Sequence, residues 1–309
     1  MLDHPLQDLE AWVLYFSGAE LPILRQTARR LEEARQNIDR VSGRDIAKIV
    51  LLDPLMAVRV LAFIQPIHGK HLRSDITTIA SAVMMMGIEP FFKKFENPIT
   101  IEARLKDEPQ GLLGVLQVIR RVQRAKRYAH EWAFARHDIN VEEVALAALL
   151  HDLTEVLLWC FAPKLAIEIR SIQQANRTLR SIHAQERVLG LNLFDLQLAL
   201  CQAWHLPELL KSLMDDANAH QPRVQNVTLA VNMARHSANG WTDAALPDDF
   251  KAIEKLLHIS HETLISRLNI PPEALPQPQA TTEVPETSET PEVLVMAMPD
   301  LPAADAPPQ

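Results

Sequence analysis

Apolar residues recur every three or four positions in each segment of this chain whose pattern can be read, and the connections between segments are short. That period commits the chain to helices that each bury one face. Composition agrees: Leu, Ala, Glu and Arg are plentiful, while the 309 residues include 8 Gly, 2 Tyr and only 5% aromatics, which argues against a sheet-rich fold. The expected class is all-α.

The segments can be placed one by one. Leu6, Leu9, Trp12, Val13 and Phe16 make an amphipathic helix that Gly18 ends. Leu21-Pro22 is expected to open a second helix with Ile23, Leu24, Thr27, Ala28 and Leu31 on its face. Ser42 caps a short helix with Asp45 in its first turn. Asp53-Pro54 places a capping carboxylate before a proline at the first helical position, and Pro66, His68 and Gly69 should break that helix. Another runs from Thr77 to Met86 and closes at Gly87. A long helix follows from about Leu112 to Arg136. Asn140 with Glu143 has the form of a capping box, opening a helix that reaches about Phe161 and stops at Pro163. Further helices fall at about 164–175, 180–189, 194–203, 206–218, 222–238 and 248–268.

The stretch Lys106-Asp107-Glu108-Pro109-Gln110-Gly111 reads as a linker. It divides the body into helical halves at 21–105 and 106–270, preceded by an N-terminal helix in 1–20 and followed by a tail at 271–309. The tail carries ten of the 21 prolines, seven acidic residues and no Lys or Arg. It cannot bury enough apolar surface to offset its chain entropy and is expected to be disordered. Within it, Val293, Leu294, Val295 and Met296 form an apolar run with the character of a docking peptide. The net charge of −8 belongs to the tail, since the remaining residues hold 31 basic against 32 acidic side chains. That balance gives no support for nucleic-acid binding. Two cysteines, Cys160 and Cys201, exclude a disulfide framework, and the N-terminus lacks the form of a signal peptide. There is no uninterrupted run of about 18 apolar residues. A cytoplasmic protein without a membrane span is expected.

The chemically pointed feature is His151-Asp152, set in the run Ala147-Ala148-Leu149-Leu150-His151-Asp152-Leu153. Adjacent His and Asp can hold one divalent metal, but a working site needs more donors. About thirty residues earlier stand Arg120 and Arg121, which stay protonated and cannot ligate a metal. The helix from Val224 to Ser237 has no acid, and Asn232 is its nearest polar candidate. Two ligands stand where four or more are wanted, so no cofactor is expected, with Fe, Mn or Zn only if a hydrolytic site exists. In the other reading His151, Asp152, Glu155 and Asn232 are polar ties between helices. Arg120, Arg121 and Arg124 are a solvated helix face or, in the functional reading, an anion site. No phosphate loop, dinucleotide fingerprint or nucleophile elbow is present.

Across residues 21–239 these features resemble the HDOD family, an HD-related regulatory module of bacterial signalling proteins. The resemblance rests on Leu21-Pro22, Asp45-Ile46-Ala47, Asp53-Pro54-Leu55, Arg59-Val60-Leu61, Ile76-Thr77-Thr78-Ile79 and Gly87. In the second half it rests on Leu149-Leu150-His151-Asp152-Leu153, Pro163, Glu186, Leu189-Gly190 and Trp204 with Leu206-Pro207. Gln65-Pro66, Thr154-Glu155 and Leu193-Phe194 depart from the family's usual residues. The resemblance implies an all-α, HD-like fold and a non-enzymatic regulatory protein that acts on a signalling partner. Two alternatives remain: a metal-dependent phosphohydrolase of a nucleotide or cyclic dinucleotide with His151 and Asp152 as ligands, and a sensor of a nucleotide second messenger.

Overall fold

In the computed structural model, which describes residues 1–68, 76–176 and 178–274, helices follow one another from α1 (Leu9–Ser17) onward. Asp8 caps α1 by accepting from the Ala11 N–H at 2.8 Å. Trp12 and Phe16 on its inner face are fully buried, with Phe16 edge-on to Phe161 in the second half of the chain. Leu21–Leu24 is extended rather than helical. Ile23 pairs in a parallel bridge with Thr100, and α2 (Arg25–Gln36) starts only after it. Distant partners explain the difference: the Ile23 N–H donates to the Ile99 carbonyl at 2.9 Å, the Ile23 carbonyl accepts from the Ile101 N–H at 2.8 Å, and the Leu24 N–H is taken by Asp53. The Ser42–Asp45 capping box opens α3 (Gly43–Val50) as expected.

Asp53 does more than cap α4 (Pro54–His68). One of its oxygens accepts from the Leu55 and Met56 N–H groups at 3.0 and 3.1 Å, and the other accepts from Leu24 at 2.6 Å. It therefore anchors the extended segment as well. Pro66 does not end α4, which continues to His68. Next come α5 (Ile79–Met86), capped by Thr78 and closed by Gly87 at φ +82°, α6 (Ile88–Lys94) and the single turn α7 (Ile101–Arg104). The first part of the expected linker is a short turn, residues 105–108, between α7 and the next helix. Pro109 opens α8 (Pro109–Ala135), and Gly111 packs against Pro163.

The expected helix from Asn140 to Phe161 is two, α9 (Val141–Leu150) and α10 (Leu153–Phe161), divided at His151-Asp152. The capping box at its start does not form. Asn140 is left-handed at φ 60° without a cap bond, and Glu143 turns inward to accept from the Thr77 hydroxyl at 2.6 Å and to pair with Arg223 at 2.7 Å. Tertiary partners outcompete the local cap. By length and composition Val141–Phe161 could cross a membrane, with mean hydropathy 1.7, but 89% of it is buried inside the protein. Its apolarity is that of a core helix.

The remaining helices are α11 (Pro163–Ala175), α12 (Ser181–Leu189), α13 (Leu193–Ala203), α14 (Glu208–Met214), α15 (Pro222–His236), α16 (Leu246–Leu257) and α17 (His261–Leu268). The segment expected as one helix over 248–268 is split because His258 turns left-handed and Ser260 caps α17. Likewise the helix expected over 206–218 is shorter, with Asp215 starting a tight turn that follows α14. One apolar core runs through both helical halves, and α1 packs on α13. Met1–Leu275 groups as one compact unit. Val293, Leu294, Val295 and Met296, with nearly all of the tail, lie outside the described residues; Pro272–Ala274 at its start forms one turn.

Candidate functional site

The seam between α8 and α10 builds the site. Val115, Val118, Ile119 and Val122 bury one face of α8, and Gly114 lies on its contact with α10. A Cβ at Gly114 would sit 2.4–2.7 Å from ring atoms of Trp159, so only glycine lets the helices approach this closely. Gly114 and Arg121 are seven residues apart, as are Trp159 and Asp152. Seven residues are about two helical turns, so the two pairs are rungs on one antiparallel seam. Closing the first rung brings the second together.

There the Arg121 guanidinium donates to Asp152 Oδ2 from Nε at 3.1 Å and from Nη2 at 2.6 Å. Nη2 also meets Glu155 Oε2 at 2.5 Å. The other oxygen of Asp152 is approached by Arg235 of α15 at 3.3 Å and by His151 Nδ1 at 3.0 Å. Asp152 is buried. Burial by itself would raise its pKa, but the charges of Arg121 and Arg235 and the hydrogen bond with His151 outweigh that and hold the carboxyl well below its usual range. For Arg121, burial works against its charge and the two carboxylates more than restore it, so its pKa lies above the ordinary arginine value.

The break in the helix is satisfied by a side chain that sequence reasoning missed. Gln197 of α13 donates to the carbonyls of Leu150 and His151 at 3.1 and 2.6 Å, and its oxygen accepts from the Thr154 N–H at 3.3 Å. One buried amide thus serves two carbonyls where α9 ends and one N–H where α10 begins. Its signal was a lone polar residue on the otherwise buried face Leu193, Leu196, Leu200 and Cys201.

The other expected residues do not converge. Arg120 is exposed. Arg124 donates to the Ser237 carbonyl at 3.3 Å and its hydroxyl at 2.8 Å, clamping α8 to the end of α15. Asn232 is half-buried and its side chain makes no hydrogen bond among the described residues. The tie from α15 to Asp152 comes instead from Arg235, which was also missed. Among the described residues no group of three or more His, Cys, Asp or Glu side chains is placed to hold a metal ion.

A multi-helical fold with a His-Asp turn between two buried helices defines the class as an HD-related helical domain. The HDOD domain family model matches residues 21–222, and the chain belongs to that family. No curated protein matches it. Among solved structures it is similar to the MmoQ response regulator of Methylococcus capsulatus (17% identity, TM-score 0.59, covering 82% of this chain and 98% of that one). It is also similar to a virulence factor of Campylobacter jejuni (18% identity, TM-score 0.61, covering 86% and 97%). These likenesses concern the fold.

Proposed function

We propose that this HDOD protein is a non-enzymatic regulatory protein of signal transduction, acting through protein–protein contacts, and that its His-Asp turn is a degenerate metal site. The single observation that carries the reading is Arg121, whose guanidinium bridges Asp152 and Glu155. A divalent ion would need those carboxylate oxygens for itself. A second cation, Arg235, stands on the remaining oxygen. The residues present therefore do not fit a metal, and no hydrolytic step is derived through one. The polar cluster ties α8, the α9–α10 junction and α15 together, which keeps the surface of the second half in one shape for a partner.

Metal analysis of the purified full chain tests this. The expected result is less than stoichiometric Fe, Mn and Zn after exposure to each ion. Stoichiometric metal that disappears in Asp152→Ala would overturn the reading.

A further inference from the structure

The C-terminal ends of α8 and α16 and the N-terminal half of α15 form an open groove of about 770 Å³ that shares no residue with the Asp152 cluster. Ala135 on α8 and Ala252 on α16 are too short to fill it, and Leu229 and Leu256 line it with apolar surface. One wall is fixed in advance. Arg136 donates to the Pro222 carbonyl at 2.7 Å, which ties the end of α8 to the start of α15, and its charge is met by Asp138 at 3.4 Å. Lys255 and His258 also line the groove and are exposed, and Lys255 makes no ion pair among the described residues. Among the described residues no Asp or Glu lines it.

The wall continues into apolar surface. Phe134 and Ile139, each within three residues of Arg136, are 70% and 82% exposed, and among the large apolar side chains only Leu14 is comparable. A lone exposed apolar residue is ordinary, but two beside an apolar groove with a basic rim mark a contact surface. We propose that this groove is the docking surface for an amphipathic helix of a partner protein, one that carries acidic residues beside its apolar face. The apolar side chains of that helix fill the space between Leu229 and Leu256, in the manner of a helix laid into a groove. Its carboxylates meet Lys255 and His258, where a basic helix would meet like charge. This deepens the regulatory reading above and rests on it, since it names where the protein contact is made.

The test is fluorescence anisotropy of two labelled helical peptides titrated with the full chain at fixed ionic strength. Both carry Leu at positions i, i+3, i+4 and i+7; one has Glu at the remaining positions and the other Lys. The Glu peptide should bind at least about tenfold more tightly than the Lys peptide. Phe134→Ser and Lys255→Glu should each weaken it by about fivefold or more, and Lys255→Glu should also narrow the preference between the peptides. Both side chains are exposed, so the variants should fold, and their melting temperatures verify it. No binding of the Glu peptide at about 1 mM protein overturns the proposal. So does equal binding of the two peptides, or binding unchanged in both variants. A dimer of the full chain in sedimentation that Phe134→Ser dissociates would assign the groove to a second copy and overturn it as well. Metal analysis fails separately: a metal-loaded chain that binds the Glu peptide overturns only the degenerate-site reading, and a metal-free chain that does not bind it overturns only this proposal.

Discussion

Two buried aspartates, one in each half of the molecule, stand at helix starts and are satisfied in opposite ways. Asp53 receives three backbone N–H groups and makes no ion pair among the described residues. Asp152 makes no cap bond to backbone and is held by guanidiniums from two other helices. Burial raises the pKa of Asp53, and the N–H groups of Leu24, Met56 and Leu55 with the Thr27 hydroxyl only moderate it. At Asp152 full charges reverse the same burial effect. Dipoles organise a local turn, whereas formal charges tie distant elements, and the two should fail differently when broken.

The largest effect is expected from Arg121→Met. It leaves Asp152 and Glu155 facing each other without their shared cation, and removing one member of a buried ion pair costs about 3–5 kcal/mol. Urea unfolding followed by circular dichroism measures it. A loss below about 1 kcal/mol would mean that water already screens the cluster and that the contrast with Asp53 is not electrostatic.

Asp53→Ala should cost less, about 2–3 kcal/mol, from a lost helix cap together with an orphaned Leu24 N–H. The pH dependence separates the two carboxyls more sharply. The folded pKa of Asp152 is lowered, so its contribution is present above the unfolded value of about 3.9 and is lost as pH falls through the folded one. For Asp53 the folded pKa is raised, so its contribution is complete below about 3.9 and is lost as pH rises through the folded value. The stability gap between wild type and Asp53→Asn should therefore move in favour of wild type on acidification above pH about 4, with little change for Asp152→Asn. Below that pH the wild-type advantage over Asp152→Asn should shrink. Parallel slopes in the two variants would refute the opposite assignments.

The same contrast explains what the sequence made legible. Ser42 with Asp45 and Asp53 before Pro54 are local patterns, because the groups they serve lie within three residues. The second role of Asp53, on Leu24, spans 29 positions and left no mark. At the site, His151 and Asp152 stood out as polar residues in an apolar run, and Arg121 stood out as a residue that cannot ligate a metal. That Arg121 binds Asp152 directly follows only once Gly114 admits Trp159 and sets the helix spacing. Arg235 could not be read at all. It reaches Asp152 across 83 positions from an exposed flank of α15, whose pattern draws attention to Asn232 instead. Asn140 and Glu143 show the converse, a clear local signal overridden by Thr77 and Arg223.

A steric test acts on the same seam without touching a charge. Gly114→Ala should cost about 1–3 kcal/mol, because the new Cβ would sit 2.4–2.7 Å from atoms of the buried Trp159 ring. Thermal unfolding reads this as a fall in melting temperature. If the variant also weakens the Arg121 contact, Arg121→Met should cost less in the Gly114→Ala background than alone, since coupled neighbours are not additive. Full additivity would show that the two rungs of the seam are independent.

The smallest effect belongs to Arg235→Gln, and it sharpens the comparison from the exposed side. Arg235 is the second cation on Asp152, but its one bond is 3.3 Å long and the side chain is 43% exposed. Solvent screens such a pair, so the expected loss is below about 1 kcal/mol at neutral pH. Asp152 keeps its short bonds to Arg121 and stays charged. Added salt should reduce this small loss further, while the loss in Arg121→Met persists, because screening by ions reaches exposed charges and not buried ones. Urea unfolding of both variants at low and high salt checks it. Equal salt sensitivity in the two would place Arg121 and Arg235 in one environment and remove the distinction between the buried tie and the open guanidinium beside it.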